Sequence, residues 1–325
     1  MISAAHDAKA ALAADQALIT HALERVLEQY APGGSVVHAA MRYAVLSHGQ
    51  RIRPVLALRV ARAVGGDPEL ALRAGLAVEL LHAASLVVDD LPCMDDAETR
   101  RELPTVHRAF GEATAVLAAI ALVALAARLP LSEDSTTPAG RRLIEFARRL
   151  LAALDCSALI AGQALDLGLD SDAPRPGPET LAALKTAPLF ELAARAGLVG
   201  ATTDRAAEAD LAAFGAEFGV AFQLADDCRD GELGDPAPAR LYLESARQRV
   251  APYGKADRGL LELVAPSVMA ALLVSSVLPA RWGPAGKQEI CGRRELPGGL
   301  AAGMRDAEVN AERPCASEEV EVAQA

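Results

Sequence analysis

Apolar residues recur along most of this chain at the three-to-four-residue spacing of an α-helix. The pattern predicts helices over approximately 5–30, 36–48, 53–64, 68–91, 106–128, 139–168, 178–199, 204–229 and 238–249, with further helix after about 256. Breaks fall at Pro32-Gly33-Gly34, at Gly65-Gly66-Asp67-Pro68, from Pro130 to Pro138 and from Asp170 to Pro178, the last a loop of turn formers. Alternating Val/Ile/Thr runs, the mark of strands, are almost absent. The first segment reads as an amphipathic helix carrying several acids, unlike a signal peptide. The most membrane-like run, Ala113 to Ala127, is about 15 residues, short of the roughly 20 that span a bilayer, and reads as a buried central helix. From Trp282 the periodicity is lost and the chain turns Gly/Pro/Glu-rich. Residues 282–325 are therefore expected to be a disordered or weakly packed tail. The architecture expected is all-α, a single helical domain over 1–281 without internal repeats.

Composition agrees. A length of 325 residues suits one large domain or two small ones, and 52% hydrophobic content supplies a core. Aromatic content is only 3%, and alanine and leucine dominate, which favours helices over sheets. A net charge of −11 argues against nucleic acid and anionic membrane surfaces as partners. Cys93, Cys156, Cys228, Cys291 and Cys315 form no CxxC pair, so reduced thiols in a cytoplasmic protein, without zinc, are expected.

Two aspartate clusters change the picture from a fold to a chemistry. Asp89-Asp90-Leu91-Pro92-Cys93-Met94-Asp95-Asp96 and Asp226-Asp227-Cys228-Arg229-Asp230 each follow an apolar helical run. Crowded carboxylates repel and raise one another's pKa. A shared divalent cation removes that conflict, and Mg²⁺ binds through one or two carboxylates together with substrate phosphates. Asp226 and Asp230 are i and i+4, on one helical face. Asp89 and Asp96, at i and i+7, are expected to share a face as well, with Pro92 bending the segment. Two solvated acidic patches are the alternative; two clusters in apolar surroundings, with basic residues between them, favour metal and diphosphate binding.

These residues carry a family resemblance. The stretch from Leu80 to Leu117 resembles the first aspartate-rich region of trans-isoprenyl diphosphate synthases. MRYAVLSHGQRIRP (Met41 to Pro54), GQALDL (Gly162 to Leu167), KTAPLF (Lys185 to Phe190) and FQLADDCRD (Phe222 to Asp230) agree in the same order. The resemblance covers about Met41 to Asp230. It implies the isoprenoid-synthase helical bundle around a central apolar cavity, and a Mg²⁺-dependent prenyltransferase that condenses isopentenyl diphosphate with an allylic diphosphate. It implies that Asp89, Asp90, Asp95, Asp226 and Asp230 hold Mg²⁺, with Asp227 in the catalytic set. Arg100, Lys185 and Thr186 would grip the allylic diphosphate, and Gln223 would turn its carbonyl oxygen to the growing cation. Arg53, His82 and Arg101 would bind the second diphosphate without metal, beside Gln50. Taken alone, a paired Arg100-Arg101 reads as a solvated dipeptide and His82 as a core histidine; their positions relative to the aspartates favour function. A homodimer is implied, or a heteromer with another synthase.

Ala84 and Ser85 precede Asp89 by about one helical turn, roughly 5.4 Å. Their small side chains leave room for a growing prenyl tail, which favours a farnesyl or geranylgeranyl product over geranyl, geranylgeranyl first. Departures from the family pattern are also plain. Gln50 and Leu103 stand where lysine is usual, Ala119-Ile120 replaces Gly-Asp, and Asp235 again replaces a lysine. Each lost phosphate contact would remove about 1.5–3 kcal/mol. Two other readings are therefore carried: a weakened paralogue serving as partner of an active synthase, and a class I terpene cyclase. The retained Arg53 and His82, and the near symmetry of the aspartate clusters, speak against the cyclase.

Overall fold

The computed structural model describes residues 2–30, 34–47, 49–132, 135–156, 158–169 and 176–255. The expected helix after 256, the domain boundary near 281, the tail from 282, and Cys291 and Cys315 lie outside the described residues.

Twelve α-helices account for nearly all regular structure among them. They are α1 (Ile2–Tyr30), α2 (Val36–Leu46), α3 (Ile52–Ala63), α4 (Pro68–Asp89), α5 (Val106–Phe110), α6 (Glu112–Arg128), α7 (Pro138–Ala152), α8 (Leu159–Asp166), α9 (Pro178–Lys185), α10 (Ala187–Leu198), α11 (Arg205–Asp230) and α12 (Ala237–Val250). The boundaries follow from local chemistry. Ser35, Asp67, Thr137 and Asp204 each cap a helix, accepting from backbone N–H groups two or three residues on. Pro68 and Pro138 follow their caps, where a missing N–H costs nothing. Gly231, at φ 77°, ends α11.

Three expected helices are each broken in two. Gly111, at φ 85°, separates α5 from α6. The Asp155 carboxylate accepts from the N–H of Cys156 (2.6 Å) in the turn between α7 and α8, a side-chain bond that competes with the helix. Pro188 lacks the N–H that would extend α9, so the chain breaks at Thr186 and restarts as α10.

The core lies where α3, α4, α10 and α11 pack on one another, with α6 covering α4 and α12 covering α11. Phe190, Phe214 and Phe218 are fully buried there. Ile19, Leu23 and Leu27 form the apolar stripe by which α1 joins this core. Asp15 pins α1 to α3 through Arg59 (2.8 Å) and Arg62 (2.8 Å). The helices approach closely at glycines. A Cβ on Gly197 would lie 2.5 Å from the carbonyl oxygen of Ala57, and one on Gly215 would lie 2.6 Å from that of Phe190.

The run from Ala113 to Ala127 lies within α6, which at 17 residues is short of a span, as expected. It is not a buried central helix: α6 packs on α4 with Val116, Leu117 and Ile120 exposed. Among the described residues the helix long and apolar enough to cross a bilayer is α4, and most of it is buried in the core.

Candidate active site

The first aspartate cluster sits at the end of α4. The helix stops at Asp89, and Pro92 ends the regular structure instead of bending it. Residues 91–96 fold back as turns: the N–H of Asp95 donates to the Asp89 carbonyl (2.9 Å) and that of Asp96 to the Leu91 carbonyl (3.1 Å). The shared helical face expected for Asp89 and Asp96 is therefore not formed. Asp96 takes φ 46° and pairs with Arg108 at 3.8 Å, while Asp90 and Asp95 are the carboxylates whose charge acts on Asp89. Burial pushes the Asp89 carboxyl above the usual carboxylate range; Lys185 and Arg100 oppose this, and Asp95 and Asp90 add to it.

The second cluster lies on the last turn of α11, which runs unbroken to Asp230, so Asp226 and Asp230 do share a face. Burial raises the Asp226 carboxyl as well, Arg229 opposing and Asp230 and Asp227 adding to it. Asp227 turns to Gln223, whose Nε2 donates to its Oδ1 (2.7 Å). Gln223 Oε1 in turn accepts from the buried Thr186 hydroxyl (2.8 Å). The carbonyl oxygen expected to face a cation is thus oriented by two partners and keeps one lone pair beyond the Thr186 bond. Lys185, the last residue of α9, pairs with Asp166 of α8 and acts on Asp89. The α9–α10 break therefore brings Lys185 towards the first cluster and Thr186 towards the second.

A strand signal that the sequence did not give carries the paired arginines. Thr99–Arg100 and Leu103–Pro104 form a two-stranded antiparallel ribbon, and Arg101 and Glu102 turn between them at φ 53° and 67°. These left-handed values are those of a tight hairpin turn, unusual for residues other than glycine or asparagine. The turn separates two adjacent side chains. Arg100 forks onto Asp90 Oδ1 through Nε (2.8 Å) and Nη2 (2.6 Å). Arg101 lies against the loop before α3, and a Cβ on Gly49 would meet its Nη1 at 2.6 Å.

Around Arg101 gathers a cationic pocket. Arg53 is buried with its guanidinium 4.6 Å from the Phe190 ring centroid, and its Nε has no partner. Burial pushes its pKa down to about 10, Glu79 opposing and Arg101 contributing. His82, half-buried on α4, is held well below the usual imidazole value by desolvation first and then by Arg53, Arg101, Arg100 and Arg51, so it is neutral. Two members were missed by the sequence reading. Arg51, in the left-handed region at φ 52°, donates from Nη1 to Glu79 (3.1 Å) and from Nη2 to the Ser47 carbonyl (2.8 Å). Glu79, 4% exposed, is the buried carboxylate beneath these cations. An acid three residues before His82 on an apolar helix was the available signal. Gln50 directly precedes Arg51, and its carbonyl accepts from Gln16 (2.7 Å). Asp235 accepts from the N–H of Ala237 (2.9 Å), so at that position a helix start replaces a cation.

Ala84 is buried, and the Ser85 hydroxyl donates to the His82 carbonyl (2.9 Å). Both lie on α4, whose largest neighbour is α6, and Ala115, Ala118, Ala119 and Leu122 of α6 join the same core. Ala119 is inward and Ile120 outward, 62% exposed beside Val116 and Leu117.

Among the described residues no three His, Cys, Asp or Glu side chains converge tightly enough to enclose an ion alone. The donor set is instead two crowded groups of hard carboxylate oxygens, in which Asp89 and Asp226 are driven above the usual range. That set fits Mg²⁺ completed by substrate phosphates.

A sequence model of the polyprenyl synthetase family matches residues 35–236. Geranylgeranyl pyrophosphate synthase 6, mitochondrial, of Arabidopsis thaliana is 40% identical over 201 residues, 60% of this chain and 60% of that protein. Heterodimeric geranylgeranyl pyrophosphate synthase large subunit 2 of the same plant is 38% identical over 217 residues, 64% of this chain and 56% of that one. The chain thus aligns with about half to three-fifths of the length of these curated relatives. Its fold resembles the crystal structure of an FPP/GFPP synthase from Zymomonas mobilis, with a TM-score of 0.73 and 29% identity over 82% of this chain and 100% of that one. A geranyltransferase from Legionella pneumophila gives a TM-score of 0.75 at 25% identity, over 82% and 99%.

Proposed function

The chain belongs to the polyprenyl synthetase family, and from that premise we propose that it is a trans-prenyltransferase joining isopentenyl diphosphate to an allylic diphosphate, with a C15–C20 product, geranylgeranyl diphosphate first. The carrying observation is the pairing of two environments: aspartate clusters ending α4 and α11, linked by Lys185, Thr186 and Gln223, and beside the first cluster a cationic pocket in which Arg51 and Arg53 are buried. The small Ala84 and Ser85 support the product length.

In this reading the allylic diphosphate lies between the clusters, where Lys185 and Arg100 neutralise charge on the leaving oxygens. Mg²⁺ bound by Asp89, Asp90, Asp95, Asp226 and Asp230 would supply Lewis-acid stabilisation of that charge. The breaking C–O bond leaves an allylic cation, and Gln223 Oε1, fixed by Thr186 and Asp227, offers a dipole to it. Arg53 and Arg101 hold the second diphosphate, and neutral His82 adds a hydrogen bond without a repelling charge. The double bond of isopentenyl diphosphate attacks the cation, a C–C bond forms and a proton is lost. The apolar face of α6 at Val116, Leu117 and Ile120 supports a homodimer, and the free thiols of Cys93, Cys156 and Cys228 support a cytoplasmic setting.

Gln50 and Leu103 favour a second reading, a partner subunit of an active synthase. The test is incubation with Mg²⁺, isopentenyl diphosphate and each allylic diphosphate from dimethylallyl to farnesyl, with products identified by mass spectrometry. A C15 or C20 diphosphate establishes the transferase. Folded protein that binds the allylic diphosphate with Mg²⁺ but does not elongate it overturns the transferase in favour of the partner subunit.

A further inference from the structure

The second aspartate cluster carries its own cation. Arg229 lies within it in sequence, and its guanidinium reaches both carboxylates that share a helical face. Nη2 is 2.6 Å from Asp226 Oδ1, Nε is 3.0 Å from Asp230 Oδ1, and Nη2 is 3.3 Å from Asp230 Oδ2. The reach is made possible by the helix: i, i+3 and i+4 lie on neighbouring rows, so an arginine at 229 covers the carboxylate one turn back and the one beside it. A guanidinium forks onto carboxylates with fixed geometry and cannot be deprotonated at working pH. It therefore occupies oxygen lone pairs that a divalent ion would need.

We propose that Arg229 is an intramolecular competitor for the divalent cation at the second aspartate cluster, so that metal enters there only by displacing the guanidinium. This rests on the reading of the clusters as metal sites. The two clusters are then unequal in a specific way. At the first, Arg100 engages Asp90 and leaves Asp89 and Asp95 without a comparable fork. At the second, both carboxylates on the shared face are engaged by one side chain. The first cluster fills at lower metal concentration, and the second fills when a diphosphate helps to draw the guanidinium away. Arg229 is then free to swing towards the bound anion, which makes metal and diphosphate binding at this cluster strongly cooperative. Without metal, the same contact holds Asp226 and Asp230 together against their repulsion and keeps the last turn of α11 in place.

The experiment uses the full chain and its Arg229→Gln and Arg229→Lys variants. Mn²⁺ binding is measured by paramagnetic resonance of the free ion, with and without inorganic diphosphate, and thermal unfolding is followed against Mg²⁺ concentration. Arg249→Gln, which removes a charge from an ion pair with Glu217 about 18 Å further back along α11, controls for general electrostatics. For Arg229→Gln without diphosphate, the weaker class of Mn²⁺ sites should tighten about fivefold, the scale of losing a partly exposed ion pair. Its metal-free melting temperature should fall, and Mg²⁺ should restore more of it than in the wild type. Arg229→Lys should lie between, since one ammonium cannot span both carboxylates. Equal tightening in Arg249→Gln, or unchanged affinity in Arg229→Gln with two classes of sites still present, would overturn the competition while leaving the metal reading intact. Absence of Mn²⁺ binding in every protein, with diphosphate present, would overturn the metal reading and the competition with it.

Discussion

Glu79 is the buried carboxylate beneath the arginine pocket, and replacing it with glutamine isolates its charge. The carboxylate is 4% exposed, its Oε1 accepts from Arg51 Nη1 at 3.1 Å, and it acts on buried Arg53 and, together with Asp90, on Arg101. Its Oε2 has no partner, so the pair is held by one bond and by field. Removing one partner of a buried pair outright costs about 3–5 kcal/mol, because an uncompensated charge remains. Glutamine keeps one acceptor for Arg51, so the loss should be the charge-assisted part, about 1.5–3 kcal/mol. With a urea slope of about 3 kcal/mol/M, this moves the unfolding midpoint by about 0.5–1 M. Circular dichroism in urea measures it directly. The arginines left behind repel one another, so 1 mM inorganic diphosphate should recover stability in Glu79→Gln and recover more than it adds to the wild type. A midpoint within 0.2 M of wild type, or equal gains from diphosphate, would refute the assignment of Glu79 as counter-ion to the pocket.

Three further outcomes are expected. Asp89 has a folded pKa above its unfolded value, so it binds more protons when folded; its contribution favours folding at low pH and is lost as pH rises through the raised value. Asp89→Asn should therefore raise the metal-free melting temperature at neutral pH while lowering kcat at least about hundredfold, and in the wild type metal half-saturation should tighten as pH rises through the raised Asp89 value. Thr186→Val removes the donor to Gln223 Oε1 and should lower kcat by about 5- to 100-fold with little change in KM for isopentenyl diphosphate, read by steady-state kinetics with each substrate varied. Ile120→Glu places a charge on the exposed face of α6 and should yield a folded monomer by light scattering if that face joins two copies; an unchanged dimer would remove α6 from the interface.

The helices were legible because their signals are local. Apolar spacing, caps at Ser35, Asp67, Thr137 and Asp204, and prolines behind two of them set most boundaries to within a few residues. The errors have a common cause. Gly111, the Asp155–Cys156 turn and Pro188 interrupt patterns whose apolar periodicity continues across the break, so period alone joins what the backbone separates. The ribbon at 99–104 was missed because two-residue strands have no alternation to detect, and because its turn uses Arg101 and Glu102 where Asn-Gly would announce it. Asp96 was placed with Asp89 because i+7 means a shared face only while a helix lasts, and this helix ends at Asp89.

The sequence alone determined the all-α character and the two carboxylate groups. Each of these depends on side-chain chemistry and on neighbours within one or two turns. Only the tertiary structure decided which charges face which. Adjacent Arg100 and Arg101 part at a hairpin, one to Asp90 and the other to the pocket over Glu79. Lys185 and Thr186 address different clusters because a helix breaks between them. These assignments depend on distances between elements far apart in the chain, set by the packing of α4, α10 and α11. The strength of a charge pair follows separation and burial, and neither is written in the spacing of a linear pattern.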